Sequence, residues 1–492
     1  MFKNLKKQFT CFVRWFLRWF GLPELLLLSK KLFSMLSRPL RLVIPLHKIS
    51  SCIGLFSSSC GIITLPQEVL EMILAELDWK DVLNVRATCK LLCTASRSRS
   101  VWRVQHQRVS DTYDTPLNVK DSGTATSAEL EHDTLHWARV QHARAHKTKQ
   151  PTRRLMGRCH GLKAHLIEGG RWLLTNPNCW DPCLSVYDLD TKNIQHRILI
   201  RPQDKREKRI ETFLVDEGNT KPEIEVVIAL VRERPHEHLA RLSFWKATKS
   251  PEDTLVARHI TSFNTYAHDI SLVKDLRGDY FARFAWQYTK GPQWIDVYNW
   301  RRSCSLIHHK ATFIVKERLC TIRMLPGQRI IGLDEHSVMI YDVPPCRSVP
   351  SKCPPAGLPI APLHTLALPG LIPDIYSPFY INHLGTAHFY VVSTKAIVKL
   401  TIPHDGRPPT GRSYVHFSPS DSYDCTLSLH RAYFWKLSTR KVFSLHREAE
   451  EQSFKAWEVP DEYLYDWALL DDYSGRIVER TENDNVFIFD CR

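Results

Sequence analysis

The stretch Thr64-Leu-Pro-Gln-Glu-Val-Leu-Glu-Met-Ile-Leu-Ala-Glu-Leu77 decides how this chain is read. Pro66 suits the first helical position, where its missing N–H costs nothing. Glu68 then puts negative charge in the first turn, against the positive end of the helix dipole. Val69, Ile73 and Leu77 recur at i, i+4 and i+8, with Leu70 and Leu74 beside them, an apolar stripe too wide for a helix with one neighbour. Asp78 marks a break, and Trp79 to Val85 reads as a second short helix. A third follows from about Arg86 through Cys89, Leu92 and Ala95, and Val101-Trp102 closes the unit. Three short helices over roughly forty residues bury too little apolar surface to outweigh their chain entropy comfortably. The excess apolar face therefore predicts a partner with a helical groove.

The stretch resembles an F-box. Leu65, Pro66, Glu68, Val69, Leu70, Ile73, Leu74, Leu77, Asp81, Cys89, Lys90, Val101 and Trp102 stand at that family's offsets. Val82 replaces a commoner leucine and Leu92 a frequent aromatic, both staying apolar. The resemblance implies docking on a Skp-type adaptor, which links the chain to a cullin–RING ubiquitin ligase and makes it a substrate receptor, with catalysis left to partner enzymes. The adaptor-binding residues it implies are Leu65, Pro66, Glu68, Val69, Leu70, Ile73, Leu74, Leu77, Val82, Leu83, Cys89 and Leu92. Apolar anchors at the centre of such an interface are worth about 2 kcal/mol each.

The length, 492 residues, allows two or three domains. With 43% hydrophobic and 24% charged residues, the composition is that of a globular protein. The net charge of +15 is unevenly placed: residues 1–63 hold ten basic residues against one acid, leaving 57 against 51 for the remainder. In residues 1–20, Lys3, Lys6, Lys7, Arg14 and Arg18 fall on one helical side, and Phe2, Leu5, Phe9, Phe12, Val13, Phe16, Trp19 and Phe20 on the other. Such a leader suits a membrane surface, a transit peptide or a disordered extension. Arg14 and Arg18 argue against a span, and Leu22–Leu28 is too short for one. The expected location is cytoplasmic or nuclear, with peripheral membrane association through the leader.

Residues 105–154 read as a polar linker with a helix over Ala128–Ala145, and residues 155–492 as an all-β domain. An alternating run carrying an aromatic recurs at Leu184–Thr191, Leu242–Thr248, Ile295–Asn299, Val338–Val343 and Val486–Asp490, with weaker copies at Ala396–Ile402 and Ala432–Ser438. From Tyr187 to Trp245, Tyr298 and Tyr341 the steps are 58, 53 and 43 residues, bracketing a propeller-blade period. The Tyr-Asp-Leu element resembles the third strand of a WD-type blade, and Gly169 to Leu174 looks like the strand that begins one. The fold class is thus α+β multidomain: a three-helix F-box (64–104), a helical linker, and a six- to eight-bladed β-propeller, with a β-sandwich pair or an irregular all-β domain as alternatives.

Motifs for chemistry are few. The chain has no phosphate loop, Gly-x-Ser-x-Gly elbow or His-Glu-x-x-His. His236-Glu-His238 reads as a charged loop, His308 and His309 point to opposite strand faces, and Asp471-Asp472 and Glu450-Glu451 read as solvated. The fourteen cysteines lack zinc spacing and are expected to be mostly buried and inert. Trp300-Arg-Arg302 could stack a base, but alternating aromatics in an all-β domain are core. The expectations are no catalytic, cofactor or metal site, no nucleic acid, and an unknown protein substrate. Two rival readings are a membrane-tethered F-box scaffold acting outside ubiquitination, and a propeller enzyme or lectin-like binder.

Overall fold

The computed structural model describes residues 65–113, 125–145 and 152–490, less the connecting stretches 159–162, 177–180, 218–224, 235–238, 267–272, 286–292, 352–356, 382–384, 417–423, 428–430, 445–454 and 459–464 and a few single positions. The basic leader, the pair His236/His238 and Glu450-Glu451 lie outside the described residues. Residues 1–70 and 71–492 are separate compact units.

Five helices come first: α1 (Gln67–Glu76), α2 (Trp79–Arg86), α3 (Lys90–Ala95), α4 (Arg99–Tyr113) and α5 (Ser127–Ala145). Pro66 precedes α1, and its carbonyl accepts the Leu70 N–H, so it occupies the cap position instead of the first turn. Asp78 breaks the chain as expected, because its carboxylate accepts the Trp79 N–H and caps α2. The third helix begins at Lys90, later than the sequence suggested. Val101 and Trp102 lie within α4, which extends to Tyr113 through residues read as linker.

Every described residue from 152 onward that has regular structure is strand. Among the described residues the strands form seven sheets in chain order, antiparallel except where Leu358–Pro359 pairs parallel with Ile307–Val315. Blade 1 contains Lys163–Leu166, Trp172–Asn176, Leu184–Asp188 and His196–Ile200. Blades 2 to 7 follow over residues 209–266, 273–315, 321–367, 371–416, 424–458 and 465–490. Because successive strand residues face opposite ways, each blade is apolar on both faces. In blade 1, Trp172 and Leu174 pack with Ile228 and Leu230 of blade 2, whereas Leu173 packs with Val478 and Ile488 of blade 7. Apolar clusters likewise join blades 2 and 3, 3 and 4, 4 and 5, 5 and 6, and 6 and 7. Seven sheets and seven interfaces close a ring, which is a β-propeller and excludes the sandwich alternative.

The recurring runs are the third strands of six blades, namely Leu184–Asp188, Leu239–Lys249, Gln293–Asn299, Ser337–Asp342, Asn485–Asp490 and the weaker, aromatic-free copy Ala396–Ile402. The copy near Ala432 is instead the second strand of blade 6, Arg431–Lys436. Trp172–Asn176 is also a second strand, since Lys163–Leu166 precedes it. Trp300 is core, stacked on Phe244 at 4.8 Å between ring centroids. His308 is buried between blades 2 and 3, while His309 meets Ser348. Of the described cysteines only Cys425 is buried and Cys304 is exposed, so the expectation of mostly buried thiols fails.

The ring is sealed by chain crossing and by charge. Blade 7 takes its fourth strand from Thr152–Arg158, antiparallel to Asn485–Asp490. Asp490 accepts from Arg154 Nε at 3.1 Å and from Arg476 Nε at 2.7 Å. The same guanidiniums reach blade 1, Arg154 to the Leu189 carbonyl and Arg476 to Asp190 and the Gly170 carbonyl. Asp471 is buried here, accepting the N–H of Gly169 and of Ser474, which corrects its reading as a solvated loop acid. Asp472 is buried too. Gly170 has φ +68, and a Cβ there would stand 2.0 Å from Ser474 Oγ, so the seam admits only glycine.

Two outcomes test this account. Asp490→Asn removes the shared charge from two guanidiniums and is expected to cost about 2 kcal/mol in thermal or denaturant unfolding; an unchanged midpoint would show that the seam is held by apolar contacts alone. Glu479, in the second strand of blade 7, is buried, and burial pushes its carboxyl up to about 8, with Arg153 pulling the other way. The folded chain keeps this proton where the unfolded chain, with an ordinary carboxyl near 4.5, has released it. The benefit of the neutral acid is complete below pH 4.5 and is lost as pH rises through 8. Glu479→Gln should therefore stabilise by roughly 2 kcal/mol at pH 8 and by little at pH 4.

Candidate adaptor-docking site

Residues 65–70 belong to one unit, and the remainder of α1 with α2 to α5 to the other. Of the first group, Leu70 is buried, Leu65 and Val69 are half-buried, and Pro66 and Glu68 are exposed.

In the second unit, side chains from α4 finish the end of α1. A helix leaves its last carbonyls without intrahelical partners, and here Gln105 Nε2 donates to the carbonyls of Ala75 at 3.2 Å and Leu77 at 2.8 Å. Arg108 adds a bond to the Leu77 carbonyl at 2.9 Å and an ion pair to Glu76. Ser100 Oγ donates to Glu71 at the other end of the same segment. Arg86, at the close of α2, binds Glu131 of α5 with both terminal nitrogens. It also donates to Ser96 Oγ at 3.0 Å and lies over the Trp102 ring. Trp102 is fully buried and donates its indole N–H to the Ser96 carbonyl at 2.8 Å. Thr126 and Glu129 cap α5 reciprocally, and those hydrogen bonds hold the Glu129 carboxyl below its ordinary range. His106 is buried in α4, and burial lowers its pKa to about 4, so it is neutral and apolar in character at pH 7.

This framework sorts the twelve residues implied by the sequence. Leu70, Leu74, Val82 and Leu92 are buried. Ile73, Leu77, Leu83 and Cys89 are half-buried and accessible from one side. Two accessible apolar side chains were missed: Met72, 58% exposed, and Leu91, 38% exposed. The signal was in the sequence, since Met72 lies three residues beyond Val69, next to the stripe on α1 though not counted in it, and Leu91 follows the Cys89-Lys90 pair. Large apolar groups left accessible on short helices are the chemistry of an interface. Among the described residues there is no cluster of His, Cys, Asp and Glu able to hold a metal, and no helix long and apolar enough to cross a membrane.

Residues 62–108 match the family model described as F-box-like, and F-box domains bind Skp-type adaptors. No curated protein matches the chain. Among solved structures, one from a structural and mechanistic analysis of two prolyl endopeptidases is similar at TM-score 0.39 and 11% identity, over 74% of this chain and 51% of that one. The chain thus spans about half the length of that structure. A protein from Lactobacillus plantarum is similar at TM-score 0.31 and 8% identity, over 48% of this chain and 71% of its own.

Gln105→Ala would leave the Ala75 carbonyl without the side-chain donor and the Leu77 carbonyl with Arg108 alone. The expected cost is about 1 kcal/mol, read as several-fold faster amide hydrogen exchange in α1 and α2 with unchanged exchange in the blades. Uniform acceleration across the whole chain would contradict a local capping role.

Proposed function

We propose that this chain is a substrate receptor whose F-box-like segment docks on a Skp-type adaptor and whose propeller holds a protein for ubiquitination by a cullin–RING ligase. The observation that carries this reading is the F-box-like match over residues 62–108, joined to apolar side chains that the helices leave accessible. The propeller suits the second role because a closed ring is a rigid support, and its loops can vary without disturbing the blade interfaces. On this reading the chain itself carries out no bond-making step. It positions a target, and chemistry belongs to the enzymes recruited through the adaptor.

The test is capture of a purified Skp-type adaptor by the full-length chain and by two variants. Met72→Asp places a charge on an exposed position and is expected to weaken capture at least tenfold while leaving the unfolding midpoint in place. Leu65→Ala with Pro66→Ala should do the same. Undiminished capture by both variants would remove the docking surface from this reading, and absent capture by the intact chain would remove the reading itself.

A further inference from the structure

The stretch Gly357-Leu-Pro-Ile-Ala-Pro-Leu363 leads from the outer edge of blade 3 to the last strand of blade 4, His364–Ala367, and its residue types fix its backbone. Proline holds its own φ at about −65° and turns the residue before it away from the helical region toward an extended one. The pairs Leu358-Pro359 and Ala361-Pro362 therefore favour a polyproline ridge, which repeats every three residues. Neither proline has an N–H to give a sheet. The stretch is tied down instead at a three-residue interval, where Ile360 N–H donates to the Ile314 carbonyl at 2.9 Å and Leu363 N–H to the Ile340 carbonyl at 2.7 Å. Gly357, three residues before Ile360, lies against the strand beneath, and a Cβ there would stand 3.0 Å from Phe313 Cα.

Burial follows the same interval. Ile360 packs on the core shared by blades 3 and 4, whereas Leu358, Pro359 and Ala361 are exposed and Pro362 is half-buried. Leu358 is 78% exposed, and Leu363, 46% exposed, extends the open apolar surface. One side of the ridge is thus taken by the blade, and both aliphatic–proline pairs stand on the sides left open. Two such pairs, one residue apart, form the Pro-x-x-Pro pattern that the aromatic-lined groove of an SH3-type module recognises. We propose that residues 358–362 are a docking ridge for a partner protein that carries an SH3-type module. No charged residue lies in 357–363, so recognition rests on shape and apolar area. The blade holds the ridge extended in advance, which lowers the ordering cost of binding. The site lies on the outer rim of the ring and does not rest on the adaptor reading.

The experiment passes the full-length chain over a panel of purified SH3 domains, with WW domains as a second panel, and reads binding by surface plasmon resonance. At least one SH3 domain should bind. Leu358→Glu, and separately Pro359→Ala with Pro362→Ala, should weaken that binding about tenfold. Pro369→Ala, at an exposed proline beyond the ridge, should leave it unchanged. Because the Leu358 side chain stands open, Leu358→Glu is expected to keep the unfolding midpoint of the parent chain. A synthetic peptide of residues 357–363 should compete, but only at several-fold higher concentration, since nothing holds it extended. Absence of binding to every SH3 domain overturns the ridge, as does binding that survives both Leu358→Glu and the double alanine variant. Binding confined to the WW panel overturns the SH3-type partner.

Discussion

Burial of both faces of every blade is the constraint on which the β domain depends. A sheet that packs on one side alternates apolar with polar residues, but a blade between two others must be apolar at consecutive positions. Trp172, Leu173 and Leu174 show this directly: neighbours in sequence, they serve two different interfaces. No blade could be removed without exposing two such faces, so the ring is stable only when closed. Closure is entrusted to a strand far away in sequence, Thr152–Arg158, and to the guanidiniums that grip Asp490. The outer edge of blade 3 receives separate cover, since Arg347–Pro350 and Leu358–Pro359 return from blade 4 to pair with Ile307–Val315. An open strand edge invites pairing with another chain, and this return blunts one.

The same constraint explains which parts of the fold were legible in the sequence. Third strands could be read because Tyr187, Trp245, Tyr298 and Tyr341 stand in apolar runs, two of them followed directly by aspartate. First strands could not, because sequences such as Lys163-Ala-His-Leu and Val273-Lys-Asp-Leu-Arg look like loops. Their charges are tolerated because the axis brings opposite charges from neighbouring blades together, as with Lys274 and Glu211. Blade 6 misled for the converse reason. Its third strand, Thr439-Arg-Lys-Val-Phe-Ser444, is polar, and the aromatic run falls one strand earlier. Asp471 read as solvated because a loop acid usually is, and although its bond to the Ser474 amide is local, its hold on the Gly169 amide spans three hundred residues of chain.

In the helical module the sequence carried the identity of the surface better than its membership. The wide stripe on α1 predicted that some apolar groups would stay uncovered, and Val69, Ile73 and Leu77 are only half-buried, with Met72 exposed beside them. It could not sort Leu70 and Leu74 from Ile73 and Leu77, because a stripe that exceeds one neighbour leaves the boundary between core and surface to packing. Packing was set by residues outside the stripe. Arg86 draws Glu131 and Ser96 together, and Gln105 and Arg108 seize the carbonyls at the end of α1. None of these has a local sequence signature, since each acts on a partner ten or more positions away.

A division of labour between the two kinds of polar group follows. Arg86, Gln105 and Arg108 use their charge or amide on described helix partners, and Arg154, Arg476 and Asp490 use theirs on blade partners. Each set is satisfied where it lies and serves geometry. Lys274 and Glu211 follow the same rule, a buried ammonium and a carboxylate that join the first strands of blades 3 and 2. Structural ion pairs gain most from complete neutralisation, since an uncompensated buried charge costs more than the pair returns. Charge is therefore buried in this ring where an opposite charge from a neighbouring blade meets it, and it gives direction to interfaces whose apolar contacts have none.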